Sequence, residues 1–142
     1  LVDYLFDMID YAVKAAGVNV VVIDHLRLFI STISDNERGE IDTFMRKAVR
    51  SAMLNNIHIL LVVQPRKLTS GQTKVGPGDL KGSGNIEQDA HNILFLHRAK
   101  ASDVVEFDLT KNRRLGTIGS FQMLFNRESR ANYSDIVTEG DQ

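Results

Sequence analysis

The chain contains no cysteine and only two prolines, and it has no long apolar run. The absence of cysteine excludes a disulfide framework and a thiolate metal site, which fits a reducing compartment. No apolar stretch approaches the ~20 residues that a membrane-spanning helix needs, and the first residues lack the basic segment of a signal peptide. The net charge of −1 gives no overall attraction for nucleic acid or membranes. Any nucleic-acid contact must therefore come from local basic loops.

The composition is that of a globular protein, with 43% apolar and 25% charged residues among 142. This length suits one domain with a single core, and the sequence shows no internal repeat and no second domain. The chain does not begin with methionine and opens directly in a helical pattern. We therefore expect it to be a piece of a longer protein.

The first part of the sequence predicts a helix, a strand and a second helix. Apolar residues recur at steps of three and four over residues 2–16, which predicts an amphipathic helix that Gly17 ends. Residues 18–23, which end in the β-branched run 20–23, predict a buried strand, and this run stops on Asp24. After a polar connection, a second apolar stripe predicts a helix over residues 41–55.

A second apolar run, residues 58–63, shows no alternation and predicts a strand that is buried on both faces. Strand, helix and strand in this order form a βαβ unit with parallel strands. Gln64 follows the second strand as Asp24 follows the first. Because ligands bind beyond the carboxyl ends of parallel strands, the two side chains predict a crevice site. Each residue also fits a plain strand terminator that caps a loop.

Residues 65–84 form the most irregular segment, which is rich in glycine and basic residues and has a single acid. A loop of this length in a compact domain is usually functional or disordered. Its composition lets backbone amides and ammonium groups approach phosphates, but it fits an ordinary solvated loop equally well. The basic residues and glycines of interest are Arg66, Lys67, Lys74, Lys81, Gly82 and Gly84.

The rest of the chain predicts one more helix and a change of pattern. Residues 83–90 predict a short helix with its first serine as cap, and residues 93–96 predict a third buried strand. Residues 104–110 and 120–126 alternate with a period of two around a basic turn, which predicts an antiparallel hairpin at the sheet edge. Residues 134–142 lack periodicity and are expected to form a surface tail.

Four sequence blocks stand out by their order and spacing: residues 20–24 (Val-Val-Val-Ile-Asp), 62–64 (Val-Val-Gln), 79–90 (Asp-Leu-Lys-Gly-Ser-Gly-Asn-Ile-Glu-Gln-Asp-Ala) and 111–113 (Lys-Asn-Arg). Together they resemble the RecA-like helicase domain of DnaB-type replicative helicases, most closely the phage primase-helicase and Twinkle branch. The third block is the most specific. The resemblance implies an incomplete α/β domain over residues 1–133. Its mostly parallel sheet would be flanked by helices and would carry the antiparallel hairpin at one edge.

The resemblance implies a nucleotide site in the predicted crevice. Asp24 looks like the Walker B aspartate, which orients Mg²⁺ beside the nucleotide phosphates. Gln64 resembles the γ-phosphate sensor, whose amide relays phosphate loss into the following loop. Lys111 and Arg113 resemble the basic pair that reaches the neighbouring subunit's γ-phosphate, with Arg113 as the arginine finger. Without the resemblance, this pair reads as a solvated hairpin tip.

The resemblance also implies contacts with the base and with DNA. Arg98 and Phe125 match positions that sandwich the nucleotide base by stacking. Phe125 also fits a core position, because Phe121 and Met123 share its face. The single-strand DNA loop of the family, which grips phosphates without reading sequence, is matched by Arg66, Lys67, Lys74, Lys81, Gly82 and Gly84.

The Walker A motif Gly-x-x-x-x-Gly-Lys-Ser/Thr is absent from the chain. In the family it lies upstream of the first helix seen here, as does the glutamate that activates water. The sheet strand that follows Walker A is also missing. The chain thus carries the second half of an ATP site, and we expect these 142 residues alone to show no ATPase or helicase activity.

The resemblance implies part of a hexameric replicative DNA helicase. Such an enzyme couples hydrolysis of ATP or another NTP, with Mg²⁺, to translocation on single-stranded DNA and duplex unwinding. The implied partners are single-stranded DNA, further copies in a ring and a primase, in the cytoplasm of a bacterium or a phage-infected host. Two alternatives remain open: a recombinase-type RecA ATPase, and a degenerate RecA-like module that binds single strands or scaffolds a ring without hydrolysis.

Overall fold

A computed structural model describes residues 1–30, 36–65, 74–80, 83–99, 101–130 and 133–136. The described residues form two compact units. The first comprises residues 1–30, 36–65, 77–80 and 83–90, and the second comprises residues 74–76, 91–99, 101–130 and 133–136. Among these residues, no helix is long and apolar enough to cross a membrane.

Helix α1 of the first unit has the bounds that the apolar pattern predicts, Val2–Ala16. It ends at Gly17, whose φ of 65° lies in the left-handed region that glycine adopts without steric cost. Ile9 is its most buried residue, and the helix packs against helix α2. The predicted amphipathic helix is therefore confirmed.

Helix α2 spans Glu37–Asn55 and so begins four residues before the predicted start. The reason is a cap: the Asn36 side chain accepts a hydrogen bond from the Gly39 backbone N–H at 3.3 Å. The helix ends at Asn56, whose φ of 51° is left-handed, as the sequence predicts. Phe44 is fully buried and forms the centre of the core of this unit.

Strands β1 (Val20–Ile23) and β2 (His58–Leu61) pair in parallel, and α2 connects them. The predicted βαβ unit is confirmed. The first strand was predicted to be buried and the second to be buried on both faces, and both predictions are wrong for the described residues. Val22 is 62% exposed and Leu60 is 48% exposed, whereas Ile23 is buried. This alternation is typical of a sheet that is covered on one face only.

Helix α3, Ser83–Asp89, completes the first unit and packs on α2. It matches the short helix that the sequence predicts, while the cap predicted for its first serine lies outside the described side chains. An antiparallel bridge joins Pro65 to Leu80, so that the chain before α3 returns to the end of β2. Leu80 and Ile86 are buried and anchor this segment in the core.

The second unit is an antiparallel sheet of four strands in chain order: β3 (Asn92–Arg98), β4 (Val104–Asn112), β5 (Gly119–Phe125) and β6 (Tyr133–Asp135). The hairpin predicted between β4 and β5 is confirmed, with Phe107 opposite Phe121. The sheet is larger than predicted because two further strands join the hairpin.

Strand β3 was predicted as a third buried strand, but it does not pair in parallel with another strand of the described residues. It pairs antiparallel with β4, and its residues alternate between buried and exposed. Five residues link β3 to β4, and a parallel crossover between neighbouring strands needs a dozen or more. Among the described residues, parallel pairing is confined to β1 and β2, and the strands β3 to β6 pair antiparallel.

Strand β6 overlaps the start of the predicted surface tail, and all three of its residues are exposed. Ser134 and Asp135 belong to this strand, in which Tyr133 lies opposite Phe125 of β5. A strand of three residues is too short to show periodicity, so the sequence pattern gave no sign of it. Residues 137–142 of the predicted tail lie outside the described residues.

Candidate functional site

The first candidate site lies at the carboxyl ends of β1 and β2. Asp24 follows β1 directly, Gln64 lies beyond β2, and both are exposed. The parallel pairing continues past the strands, because the Val62 N–H donates to the Ile23 carbonyl and the Leu26 N–H donates to the Val62 carbonyl, both at 3.0 Å. In this register Asp24 lies opposite Val62, two residues before Gln64. The two polar side chains therefore occupy one edge of the parallel pair.

This pair of side chains has the chemistry of a magnesium–phosphate site. Mg²⁺ prefers oxygen ligands, keeps several waters and takes only one or two carboxylates beside substrate phosphates. The exposed carboxylate of Asp24 fits that ligand set, and the Gln64 amide carries both a donor and an acceptor for a phosphate oxygen or a water. The described residues include no cluster of three or more His, Asp or Glu side chains that would hold a metal. A cation at this edge would therefore depend on phosphate and water for its remaining ligands.

His25 is a neighbour of the site that the sequence did not single out. The structure half-buries its side chain, and the Nδ1 atom has no hydrogen-bond partner among the described residues. Buried polar atoms without a partner are uncommon. The Asp24–His25 peptide bond is cis. The only feature of the sequence that points to His25 is its position directly after Asp24.

Lys111 and Arg113 lie where β4 ends, in the second unit. The Arg113 N–H donates to the His91 carbonyl at 2.8 Å, and the Gly116 N–H donates to the Asn112 carbonyl at 2.8 Å. Gly116 has a φ of 70°, which closes the turn in a conformation that favours glycine. The backbone of the predicted finger is thus held at a defined place, and the Arg113 residue is exposed.

Arg98 and Phe125 are brought together by the antiparallel sheet. The Arg98 guanidinium carbon lies 5.0 Å from the centroid of the Phe125 ring, within the range of a cation–π contact. Tyr133 lies on the other strand beside Phe125, at 5.5 Å between ring centroids. Phe125 is half-buried while Phe121 on the same face is 53% exposed. The described residues therefore do not close this face into a core.

An aromatic row continues from Phe125 across the same face. The rings of Phe107 and Phe121 stack at 5.0 Å with only 5° between their planes, and Tyr133 meets Phe107 edge-on at 5.4 Å. The sequence pattern placed aromatics on one side of the hairpin but could not join them to β6. Tyr133 thus links Phe125 to the stacked pair of Phe107 and Phe121.

The predicted DNA-binding residues are only partly described. Lys74 belongs to the second unit, where its ammonium group donates to both carboxylate oxygens of Glu106 at 2.6 and 2.7 Å. Gly84 lies in the first turn of α3, and a Cβ added there would meet no atom within 4 Å. Packing within the chain therefore does not require glycine at this position. The remaining predicted residues lie outside the described residues: Arg66, Lys67, Lys81 and Gly82.

Two solved structures define the class of this fold. One, described as "The Structure Of A DnaB-Like Replicative Helicase And Its Interactions With Primase", matches 96% of this chain and 35% of its own, with a TM-score of 0.78 and 24% identity. The RadB recombinase matches 93% of this chain and 59% of its own, with a TM-score of 0.61 and 14% identity. The fold is RecA-like α/β, and the predicted fold class is confirmed.

Residues 6–134 match the DnaB-like helicase C-terminal domain family, and the chain belongs to this family. It is 38% identical over 102 residues to the probable plasmid replicative DNA helicase of Chlamydia trachomatis serovar L2, covering 70% of this chain and 23% of that protein. It is 33% identical over 131 residues to the replicative DNA helicase DnaB of Mycoplasma pneumoniae, covering 79% and 27%. The chain thus spans about a quarter of the length of these relatives. The predicted resemblance to DnaB-type helicases is confirmed.

Proposed function

We propose that this chain supplies the Walker B half of the nucleotide site in a longer, NTP-driven replicative DNA helicase. The observation that carries the proposal is the position of Asp24 and Gln64 at the carboxyl ends of two adjacent parallel strands. Family membership supports it, because the matched relatives are named replicative DNA helicases. The missing Walker A loop would come from the part of those relatives that this chain does not cover.

In this proposal, Asp24 holds Mg²⁺ and Gln64 bonds the γ-phosphate or the attacking water. The cation supplies neutralisation of the charge that develops on the transferring phosphoryl group. Arg98 and Phe125 hold the nucleotide base by stacking. Gln64 lies directly before the basic loop, so that loss of its phosphate contact can reach that loop through the backbone.

The proposal extends to a closed ring of six copies that moves along single-stranded DNA and separates the duplex. Arg113 would act as the arginine finger on the nucleotide of the neighbouring copy, with Lys111 beside it. The exposure of Arg113 on a backbone fixed by His91 supports this role. A primase is a further proposed partner, since one matched structure is described with its primase.

The first test uses the full-length protein with two single variants. Arg113→Ala is expected to lower the turnover number for ATP by about a thousandfold, the worth of an arginine finger. Asp24→Asn is expected to abolish turnover and unwinding while single-strand binding persists. Asp135→Asn makes the same chemical change in the exposed strand β6 and should leave turnover unchanged. Wild-type turnover in either site variant would overturn that residue's role.

Mixing the two inactive variants tests whether Arg113 acts between copies. In a randomly mixed ring, about a quarter of the interfaces pair an intact Asp24 with an intact Arg113 from the neighbour. Turnover should therefore reappear on mixing. If the arginine served its own copy, the mixture would stay inactive. The 142-residue chain alone is expected to hydrolyse no ATP, and measurable turnover from it would contradict the assignment of half a site.

The two alternatives predict different readouts from the full-length protein. A replicative helicase separates a forked duplex in an ATP-dependent manner, whereas a recombinase-type ATPase exchanges strands without unwinding. A degenerate module binds single-stranded DNA but gives no ATP turnover. Unwinding that is lost in Asp24→Asn would support the helicase and exclude both alternatives.

A further inference from the structure

Tyr133 of the short strand β6 connects the aromatic row to the predicted base position. Its ring centroid lies 5.5 Å from that of Phe125, with 55° between the ring planes, and 5.4 Å from that of Phe107, which it meets edge-on. Phe107 belongs to β4 and Phe125 to β5, so one ring of β6 contacts rings of two other strands. The nucleotide site proposed above does not include Tyr133.

The backbone of Phe125 is fixed where β5 ends. Its N–H donates to the Asp103 carbonyl at 2.8 Å, and the Asp103 carboxylate pairs with the side chain of Arg127. Asn126 orders the turn that follows, because its side-chain oxygen accepts from two backbone N–H groups of that turn at 2.9 and 3.0 Å. The Cα atom of Phe125 therefore has a defined position, but these contacts do not fix the rotation of the ring about its side-chain torsions.

A cation and a second ring contact the Phe125 ring. The guanidinium carbon of Arg98 lies over the ring, 5.0 Å from its centroid, on a face where a base would stack. Tyr133 meets the same ring at a tilt, which is one of the arrangements that aromatic pairs favour. Of these two contacts, the one with Arg98 must open to admit a base, because a base that stacks on the ring occupies the same space.

Strand β6 brings Tyr133 to the Phe125 ring without burying it. In the antiparallel register of β5 and β6, Tyr133 lies directly opposite Phe125. Side chains in such pairs lie on the same face of the sheet, with Cβ atoms about 4.5–5.5 Å apart. All three residues of β6 are exposed, and Tyr133 itself is 40% exposed. Its ring therefore adds little to a buried core, and its defined contacts are with the two neighbouring rings.

We propose that Tyr133 is a positioning residue of the nucleotide site, whose ring holds the Phe125 ring in the orientation that stacks on the base. The inference rests on the proposed function, since it requires a base on Phe125. When a base enters between Arg98 and Phe125, the contact with Tyr133 remains and keeps the plane of the ring fixed. Ordering a free side chain during binding costs affinity, and a ring that is already held avoids this cost. Tyr133 thus acts on the base of a nucleoside triphosphate and not on its phosphates.

A comparison of two ligands tests this role in the full-length protein. A non-hydrolysable ATP analogue carries a base, whereas inorganic tripolyphosphate with Mg²⁺ offers phosphates only. Tyr133→Ala should raise the Kd of the ATP analogue by about fivefold, because the Phe125 ring must then be ordered by the base, and it should leave the Kd of tripolyphosphate unchanged. Isothermal titration calorimetry measures both constants. Equal weakening of both ligands, or unchanged affinity for the ATP analogue, would overturn the proposal.

Two further variants separate the ring of Tyr133 from its hydroxyl and from the rest of the row. Tyr133→Phe keeps the ring, so it should bind the ATP analogue with wild-type affinity, and a loss as large as that of Tyr133→Ala would contradict a role of the ring. Phe121→Ala is the matched control, because Phe121 stacks on Phe107 and its removal leaves both contacts of Tyr133 in place. It should not change the Kd. The same loss in Phe121→Ala would assign the effect to the row as a whole and overturn the role of Tyr133.

A double-mutant cycle identifies the residue through which Tyr133 acts. In Phe125→Ala the ring that Tyr133 is proposed to hold is absent, so adding Tyr133→Ala should cause no further loss of affinity for the ATP analogue. Additive losses would overturn the proposal, because Tyr133 would then act independently of Phe125. If Phe125→Ala alone binds the analogue with wild-type affinity, the base assignment in the proposed function fails as well. If Phe125→Ala weakens binding and Tyr133→Ala does not, the role of Tyr133 alone is wrong.

Steady-state kinetics of ATP hydrolysis give an independent measurement. A base contact is made equally in the ground state and in the transition state, so its weakening in Tyr133→Ala should raise the KM for ATP by about fivefold and leave kcat unchanged. Asp135→Asn, which alters another exposed residue of β6, should change neither constant. A fall in kcat for Tyr133→Ala at unchanged KM would overturn the proposal, because the residue would then affect the reacting phosphates rather than the base.

Discussion

The guanidinium of Arg98 lies over the ring of Phe125, with its central carbon 5.0 Å from the ring centroid. These two residues were predicted to hold a nucleotide base between them, and the structure has them in contact with each other. An exposed cation–π contact contributes about 0.5–1 kcal/mol, and stacking of a base on an aromatic ring contributes about 1–3 kcal/mol. A base can therefore displace the arginine from the ring and gain more than the lost contact.

Base stacking predicts that Phe125→Leu in the full-length protein weakens nucleotide binding by about tenfold, which corresponds to about 1.4 kcal/mol. Arg98→Lys should give a smaller loss, because it keeps the charge but removes the planar stacking surface. Phe121→Leu is the matched control on the same sheet face. Titration with a fluorescent ATP analogue measures the dissociation constants. Equal affinities for Phe125→Leu and Phe121→Leu would remove Phe125 from the site.

The Lys74–Glu106 ion pair predicts that the Glu106 carboxylate and a DNA phosphate compete for the Lys74 ammonium group. Glu106→Gln should remove the ion pair that holds Lys74 and should therefore raise the affinity for single-stranded DNA. Lys74→Ala should weaken binding and reduce the slope of log affinity against log salt by about 0.7. Fluorescence anisotropy over a salt series measures both quantities. If Glu106→Gln and Lys74→Ala both leave affinity and slope at the wild-type values, Lys74 is a structural residue only.

Gly84 offers a way to separate folding from DNA contact. Since a Cβ at this position meets open space, Gly84→Ala should raise the free energy of unfolding, by at most about 1 kcal/mol. If the Gly84 backbone approaches a DNA phosphate, the same methyl group should weaken single-strand binding. Gly78→Ala is the matched control, because its Cβ also meets nothing within 4 Å. Urea denaturation gives the free energy of unfolding of both variants, and DNA titration gives their affinity for single-stranded DNA. Unchanged DNA affinity in Gly84→Ala would contradict the contact.

The ion pair between Asp3 of α1 and Lys47 of α2 predicts a pH dependence of stability. A hydrogen bond from Lys47, together with its positive charge, holds the pKa of Asp3 below its ordinary value of 3.8. A carboxylate with a lowered pKa stabilises the folded state above its unfolded pKa, and this contribution disappears as the pH falls through the folded pKa. Asp3→Asn should therefore lower the Tm slightly at neutral pH, with the difference from wild type vanishing in acid. Added salt should shrink the difference as well. A difference that stays constant from neutral to acidic pH would contradict the pairing.

Local sequence signals predicted the elements that depend on local chemistry. The α1 bounds followed from apolar spacing and Gly17, and the end of α2 followed from Asn55-Asn56. The start of α2 was missed because the cap at Asn36 precedes the first apolar residue of the stripe. Asp24 and Gln64 were placed correctly at one sheet edge because parallel register fixes where strand ends fall.

Features that depend on distant partners could not be predicted in the same way. Leu94 and Leu96 are as apolar as the buried Ile93 and Phe95, so the run was predicted as a buried strand, and the apolar pattern did not reveal its antiparallel pairing. Glu106 follows Lys74 by 32 residues, and nothing in the sequence linked them. The half-burial of His25 depends likewise on packing that a one-dimensional pattern does not contain.

The pairing of β3 along one edge only, within the described residues, has a consequence for handling the protein. Its other edge presents a row of backbone donors and acceptors, and Leu94 and Leu96 beside it are 49% and 54% exposed. The unpaired backbone groups of such an edge can form hydrogen bonds with a strand from the same chain or from another chain. A strand from the same polypeptide completes the sheet, whereas a strand from a neighbouring chain begins an aggregate. We therefore expect aggregation of this chain during refolding to increase with protein concentration.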